Sequence, residues 1–310
     1  MSHSYAVETG CGRLPSGYRN IGEELVNKTT VGALLSAPII IAGVTAAPAP
    51  AAATDHHILD YALAAEALVM IPAMNQNWLD LSKELYLVPN GFPEDGDATF
   101  LQVPETYDLN ASIKGATDIL VDAIKTRWDA GDFDSGDPLY IFGYSQANVA
   151  AGLAMERLAE ETDIPKDALH FVMVGDSAAE GGFLSGFLPT LLQWVPEEWH
   201  DDVITMVYQV AEMMNIDSVI GLVTPNDLYT ADVYSLSSDG FANWDDGHQM
   251  AGMFSDHLAY LGLSPEEIAS ATQTVSGDTV YHMIDTANVN VFQALVNSAE
   301  MIMGGFLAWF

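Results

Sequence analysis

A serine hydroxyl is a weak nucleophile unless a base takes its proton and a strained turn fixes its position. Residues 138–147 of this 310-residue chain, Pro-Leu-Tyr-Ile-Phe-Gly-Tyr-Ser-Gln-Ala, offer such a turn. A short apolar run ends in Gly143-Tyr144-Ser145-Gln146-Ala147, and a helix-patterned segment follows. That order describes a nucleophile elbow: the sharp turn lifts Ser145 above the carboxyl edge of a sheet, and the next helix aims its first amides at the reacting carbonyl. Gly143 and Ala147 are small enough for strand and helix to pass closely, with alanine where a second glycine is usual. The amide of Gln146 is the first expected oxyanion donor. A second is expected from the loop after the first strand, near Ala73 or Met74, since Pro72 carries no N–H.

The elements that must hold Ser145 follow from apolar periodicity. A continuous apolar run predicts a strand at 67–71, another is predicted ahead of Ser145, 169–174 reads as the next, and later strands are expected at 232–237 and 279–284. Ile113, Ala116, Leu120, Ile124 and Trp128 recur at helical steps and predict a helix over 112–128; a second is predicted over 146–161. Strands alternating with helices give an α/β fold with a mainly parallel, doubly wound sheet. Residues 183–222, rich in Leu, Met, Trp and Val, stand outside the alternation as a helical cap insertion. Trp194, Trp199, Met206, Met213 and Met214 there suit either an acyl-chain pocket or ordinary core. The principal domain is expected over 54–290. An apolar tail, 291–310, is too short at its apolar end to span a bilayer and is expected to dock against the domain or touch a surface weakly.

Composition limits the partners. Forty-three acidic residues against nine Lys plus Arg give a formal charge of −34, which repels phosphate backbones and excludes nucleic acid. The charges are dispersed among hydrophobic segments, and 49% hydrophobic residues suffice for a large core. Residues 1–53 read as a targeting segment. Arg19 and Lys28 lead into the apolar stretch 31–44 and then an Ala/Pro linker at 46–53, a secretory pattern with a mature start near 47–54. An N-terminal anchor helix is the alternative, weakened by Pro38 and the glycines. The lone Cys11 lies upstream of that start, so no disulfide is expected. No His-x-x-x-His or cysteine cluster is present, and neither metal nor cofactor is expected.

A catalytic serine needs a histidine, and the histidine a carboxylate, which in α/β-hydrolases follow the serine in the order acid, then histidine. His170 and His282 fall within predicted strands and read as structural; His200, among Glu197, Glu198, Asp201 and Asp202, reads as an exposed helix residue. His248 and His257 remain open on this ground, both downstream of the loop Ser237–Asp246. Asp239, just past a strand end, is placed as a triad acid would be, although Asp239-Gly240 equally describes a plain turn.

The run Phe142–Ala147, the stretch Phe171–Asp176, the pair Gly181-Gly182 and the segment Asp232–Trp244 together resemble the PE-PPE domain, over roughly residues 65–285. That family of mycobacteria and related actinobacteria is a serine α/β-hydrolase domain close to cutinases. Where members carry Tyr-Asp-Gly-Phe-Ala-Asp-aromatic-Pro, this chain has Ser238-Asp239-Gly240-Phe241-Ala242-Asn243-Trp244-Asp245. The resemblance implies Asp239 as the acid, with Asp245 second, and the family's His-x-x-Tyr implies His257, in His257-Leu258-Ala259-Tyr260, as the base. It departs at the oxyanion loop, where the family's Met-Gly-Gly-Thr-Gly is replaced by Met70-Ile71-Pro72-Ala73-Met74. The expected function is a secreted or cell-envelope serine esterase acting on small-molecule or lipid-like acyl esters, with peripheral contact to envelope lipids. Acyl transfer to an envelope glycolipid, or a non-catalytic binding module on the same fold, are the alternatives.

Overall fold

The apolar runs lie side by side in one sheet. The computed structural model describes residues 65–71, 76–104, 108–244 and 252–307. Its strands are β1 (Glu66–Met70), β2 (Asp97–Phe100), β3 (Leu139–Tyr144), β4 (Leu169–Val174), β5 (Thr230–Leu236), β6 (Thr272–Ser276) and β7 (Thr279–Ile284). They form a 7-stranded sheet in the order β2-β1-β3-β4-β5-β7-β6. All neighbours pair in parallel except β6 and β7, which are antiparallel. The expectations for residues 1–53, and for Ala73, Met74, Asp245 and His248, lie outside the described residues.

Burial on both faces explains why the central strands read as unbroken apolar runs. Leu139 and Ile141 of β3 point to one face, packing with Leu120 and Ile124 of α2 (Leu109–Ala130) and Met155 and Leu158 of α3 (Gln146–Glu161). Tyr140, Phe142 and Tyr144 point to the other, against Tyr86, Phe92 and Tyr260. That second layer also includes Leu79 of α1 (Gln76–Ser82), Ile268 of α6 (Pro265–Ala269) and Ala294 of α7 (Val291–Leu307). Residues 291–307 are therefore largely helical, and Gly262 lets α7 approach: a Cβ there would lie 1.9 Å from the Ala294 carbonyl oxygen. Among the described residues no helix is long and apolar enough to cross a membrane.

Two edge strands escape the apolar pattern. β2 alternates exposed and half-buried residues, and β6 (Thr-Gln-Thr-Val-Ser) is exposed along most of its length. Backbone pairing with β1 and β7 holds them, and polar exposed edges also resist pairing with other chains. Helix boundaries have local causes. Asp108 accepts from the Ala111 amide at 3.0 Å to cap α2, and Gly131, at φ 77°, ends it. Residues 183–222 contain α4 (Phe183–Leu192) and α5 (His200–Met213), inserted between β4 and β5. Leu184, Ala211, Val219 and Ile220 tuck this insertion against Ile113 and Ala116 of α2 and Val149 of α3. His200 departs from the exposed position expected for it: it is half-buried, with Nε2 3.0 Å from the Val195 carbonyl oxygen.

Candidate active site

The elbow is built by backbone strain and close packing. Ser145 sits at φ 58°, ψ −124°, outside the regions comfortable for a side-chain-bearing residue, between the last residue of β3 and the first of α3. Its amide donates to the Val174 carbonyl at 3.0 Å, tying the elbow to the end of β4. Gly143 is required because a Cβ there would lie 2.3 Å from Oδ1 of Asn148, whose Nδ2 also donates to Val174 at 2.7 Å. Gln146 opens α3, so its amide belongs to the first turn, where N–H groups have no intrahelical acceptor.

Beside the elbow, His257 Nε2 is 2.7 Å from Ser145 Oγ, and His257 Nδ1 is 2.8 Å from Oδ2 of Asp239. Ser145 is half-buried; Asp239 is fully buried and His257 nearly so. Asp239 lies three residues past β5 and accepts two further bonds, from the Phe241 amide to Oδ1 at 2.9 Å and from the Tyr260 hydroxyl to Oδ2 at 2.8 Å. Tyr260 in turn accepts the Leu236 amide at 2.8 Å, fastening β5 to the segment that carries His257. Tyr144 donates to the His257 carbonyl oxygen, so the strand entering the elbow also grips the histidine backbone. Gly175, at φ +64°, leaves room for both rings: a Cβ there would sit 3.1 Å from His257 Cε1 and from Tyr260 Cε2.

Burial, and then the charge of Asp239, push the Tyr144 and Tyr260 hydroxyls well above the ordinary phenol range. Both remain donors at any working pH. A hydroxyl, an imidazole and a carboxylate in this chain can pass a proton from Oγ to the ring while the carboxylate holds the imidazolium. Phe241 lies 4.9 Å from the His257 ring, and Phe183, Phe187 and Trp244 extend the aromatic cluster, with ring separations of 5.0 to 6.1 Å. Among the described residues no group of three or more His, Cys, Asp and Glu is arranged to hold a metal ion.

The other sequence candidates are apart from this chain of bonds. His170 and His282 both bond to Asp232, their Nε2 atoms 2.7 and 2.6 Å from its two carboxylate oxygens, which ties β4, β5 and β7. Asn243 braces the acid loop, donating from Nδ2 to the Ser237 carbonyl at 2.7 Å, a bond that an aspartate there would not supply. The hydroxyl of Tyr260 and the carboxylate of Asp256 escaped sequence reasoning. Asp256 is buried and accepts from Ser238 and, at 2.7 Å, from Ser255, bracing the turn before His257. For Tyr260 the spacing His257-x-x-Tyr260, about one helical turn, was the available signal.

A parallel sheet with a strained serine elbow at the carboxyl end of a central strand defines an α/β-hydrolase. The PE-PPE domain model matches residues 89–301, and the chain belongs to that family. It is 26% identical over 206 residues to the "Uncharacterized PPE family protein PPE28" of Mycobacterium tuberculosis, covering 62% of this chain and 28% of that protein. It is 24% identical over 180 residues to "Esterase PE16" of the same organism, covering 52% of this chain and 30% of that protein. The matched region thus spans less than a third of either relative. Among solved structures, a lipase-esterase related protein from Clostridium acetobutylicum is similar at 9% identity and TM-score 0.34, over 78% of this chain and 93% of that one. A thioesterase of the prodiginine pathway of Streptomyces coelicolor, RedJ, is similar at 10% identity and TM-score 0.36, over 79% and 90%.

Proposed function

We propose that this hydrolase is a serine esterase acting on acyl esters, and the observation that carries the reading is the hydrogen-bonded series Ser145, His257, Asp239. Ser145 Oγ attacks the ester carbonyl as its proton passes to His257 Nε2. The Gln146 amide stabilises the oxyanion, joined by an amide near Ala73. The tetrahedral adduct collapses, His257 protonates the departing alcohol, and the acyl group stays on Ser145. Water, deprotonated by the same imidazole, then releases the acid and restores the serine.

The aromatic cluster beside His257 and the exposed Phe254 and Leu258 favour an acyl group with apolar length. The similarity to Esterase PE16 supports an ester as the scissile group. An envelope or secreted setting is part of the proposal, supported by the names of the mycobacterial PPE and PE relatives. A non-catalytic module is the second reading, favoured by Ile71-Pro72-Ala73-Met74 where the family carries glycines. A fluorophosphonate probe decides between them: covalent labelling of the wild-type chain, lost in Ser145→Ala, is expected for the esterase. A folded wild-type protein that stays unlabelled and turns over no nitrophenyl ester would establish the non-catalytic module instead.

A further inference from the structure

The basic residues of this chain are distributed unevenly. No lysine or arginine follows Lys166, while Asp and Glu continue to Glu300. The loop after β4, the cap helices, the loop carrying Asp239 and the segment carrying His257 all come from that stretch. Arg13, Arg19 and Lys28 lie outside the described residues.

The remaining cations are engaged elsewhere. Arg127 pairs with Glu66 at the start of β1, Lys125 with Glu161 at the end of α3, and Lys166 with Asp278 just before β7. These are the ends of the elements opposite the elbow. Lys114 pairs with Asp118, and Arg157, about 17 Å along α3 from the elbow at 1.5 Å per residue, pairs with Asp118 and Glu161. Lys83 donates to the Gly96 carbonyl. Nor do the first amides of α4 offer an anion site, since Phe183 donates to the Phe241 carbonyl and Leu184 to that of Ser177. The exposed side chains of the loop and cap include apolar ones, such as Trp194, Trp199 and Met213, acidic ones, such as Glu180, Asp201, Asp202 and Glu212, and neutral polar ones, such as Gln193 and Gln209, with no lysine or arginine among them.

We infer that the site selects acyl esters whose leaving group is uncharged, and rejects acyl groups carried on anionic, phosphate-bearing handles such as coenzyme A. The inference rests on the hydrolase reading of Ser145 and adds the substrate's charge class. An anionic handle would enter a predominantly negative field, with no lysine or arginine from the described residues after Lys166 to replace its lost hydration. The rejection is electrostatic and long-ranged, so it weakens once the Debye length falls to a few ångströms.

The test compares two thioesters with the same acyl chain, one on N-acetylcysteamine and one on coenzyme A, so that the reacting bond is constant; the handles differ in size as well as charge, and the salt series separates the two. The full chain is assayed at pH 8, where an ordinary histidine is neutral, in low and in high salt, beside an uncharged nitrophenyl ester. At low salt kcat/KM should favour the uncharged thioester by at least about tenfold, with the gap narrowing as salt rises. Glu180→Lys should raise kcat/KM for the coenzyme A thioester several-fold and leave the uncharged one unchanged. Equal or better turnover of the coenzyme A thioester at low salt, or a preference indifferent to salt, overturns the inference. If neither thioester nor the nitrophenyl ester turns over faster than with Ser145→Ala, the hydrolase reading itself falls and takes the charge selection with it.

Discussion

Asp239 is the most heavily committed residue of the site. One of its oxygens accepts from His257 and Tyr260 together, and the other holds the Phe241 amide. The two partners of that shared oxygen do different things. In the proposed reaction His257 needs a negative charge on Asp239 to stabilise its imidazolium, whereas Tyr260 needs only an acceptor and fixes the carboxylate in place. Asp239→Asn should therefore cut nitrophenyl ester turnover by about three to four orders of magnitude, with the fold intact by circular dichroism. Tyr260→Phe keeps the charge, so its turnover should fall far less. It leaves the buried Leu236 amide without its acceptor and should cost about 1–3 kcal/mol in urea unfolding. The reverse ranking in turnover would make Tyr260, not the carboxylate, the decisive partner.

Two buried carboxylates join neighbouring elements, and they titrate in opposite directions. Asp232 loses solvation by burial, but bonds from His170 and His282 outweigh that and hold it below the ordinary carboxylate range. Its contribution is present above the unfolded value and lost as pH falls through the lowered folded one. Asp176, fully buried past the end of β4, accepts from the Ala178 amide at 2.9 Å and from Thr224 at 2.7 Å, joining that loop to the segment ahead of β5. Burial outweighs those bonds and raises it from 3.8 to about 6. Between those values the folded protein binds a proton that the unfolded chain does not, so stability falls as pH rises through the window. At neutral pH the buried, ionised carboxylate therefore costs stability, on the order of a few kcal/mol. Asp176→Asn should flatten the urea midpoint between pH 4 and 6 relative to wild type. An unchanged slope would mean that Asp176 is not the group titrating there.

At the scale of the whole molecule, the formal charge of −34 acts against compactness. The ion pairs do little to offset it. The Lys and Arg pairs among the described residues are at least partly solvent-exposed, the class that contributes about 0–1 kcal/mol each. Salt screens the repulsion over many residues and weakens only those few pairs, because the Debye length shrinks to about 10 Å at 0.1 M. Tm should therefore rise by several degrees between 20 mM and 500 mM sodium chloride in a scanning calorimetry series. A Tm that falls with salt would mean that the surface pairs matter more than the net charge.

The sequence by itself determined what depends on neighbouring residues. Ser145 with Gly143 and Ala147 marks a strand-to-helix turn whatever surrounds it, and the strands expected at 169–174 and 279–284 coincide with β4 and β7 residue for residue. The helix expected over 146–161 is likewise α3, because its apolar period and its breaker at Ile164-Pro165 are local signals. Residue types and order left His248 and His257 level, and only the family's His-x-x-Tyr spacing separated them. Tertiary structure decided the rest. β2 and β6 bury too little side chain to leave an apolar trace, so they exist through pairing with β1 and β7. The contact of Ser145 with His257, 112 residues apart, depends on the space left by Gly175 and the grip of Tyr144 on the histidine backbone. The linkage of His170, Asp232 and His282 across three strands has no periodicity of its own. A hydrogen bond between distant side chains constrains one atom at each end, and only the folded chain brings those atoms within about 3 Å.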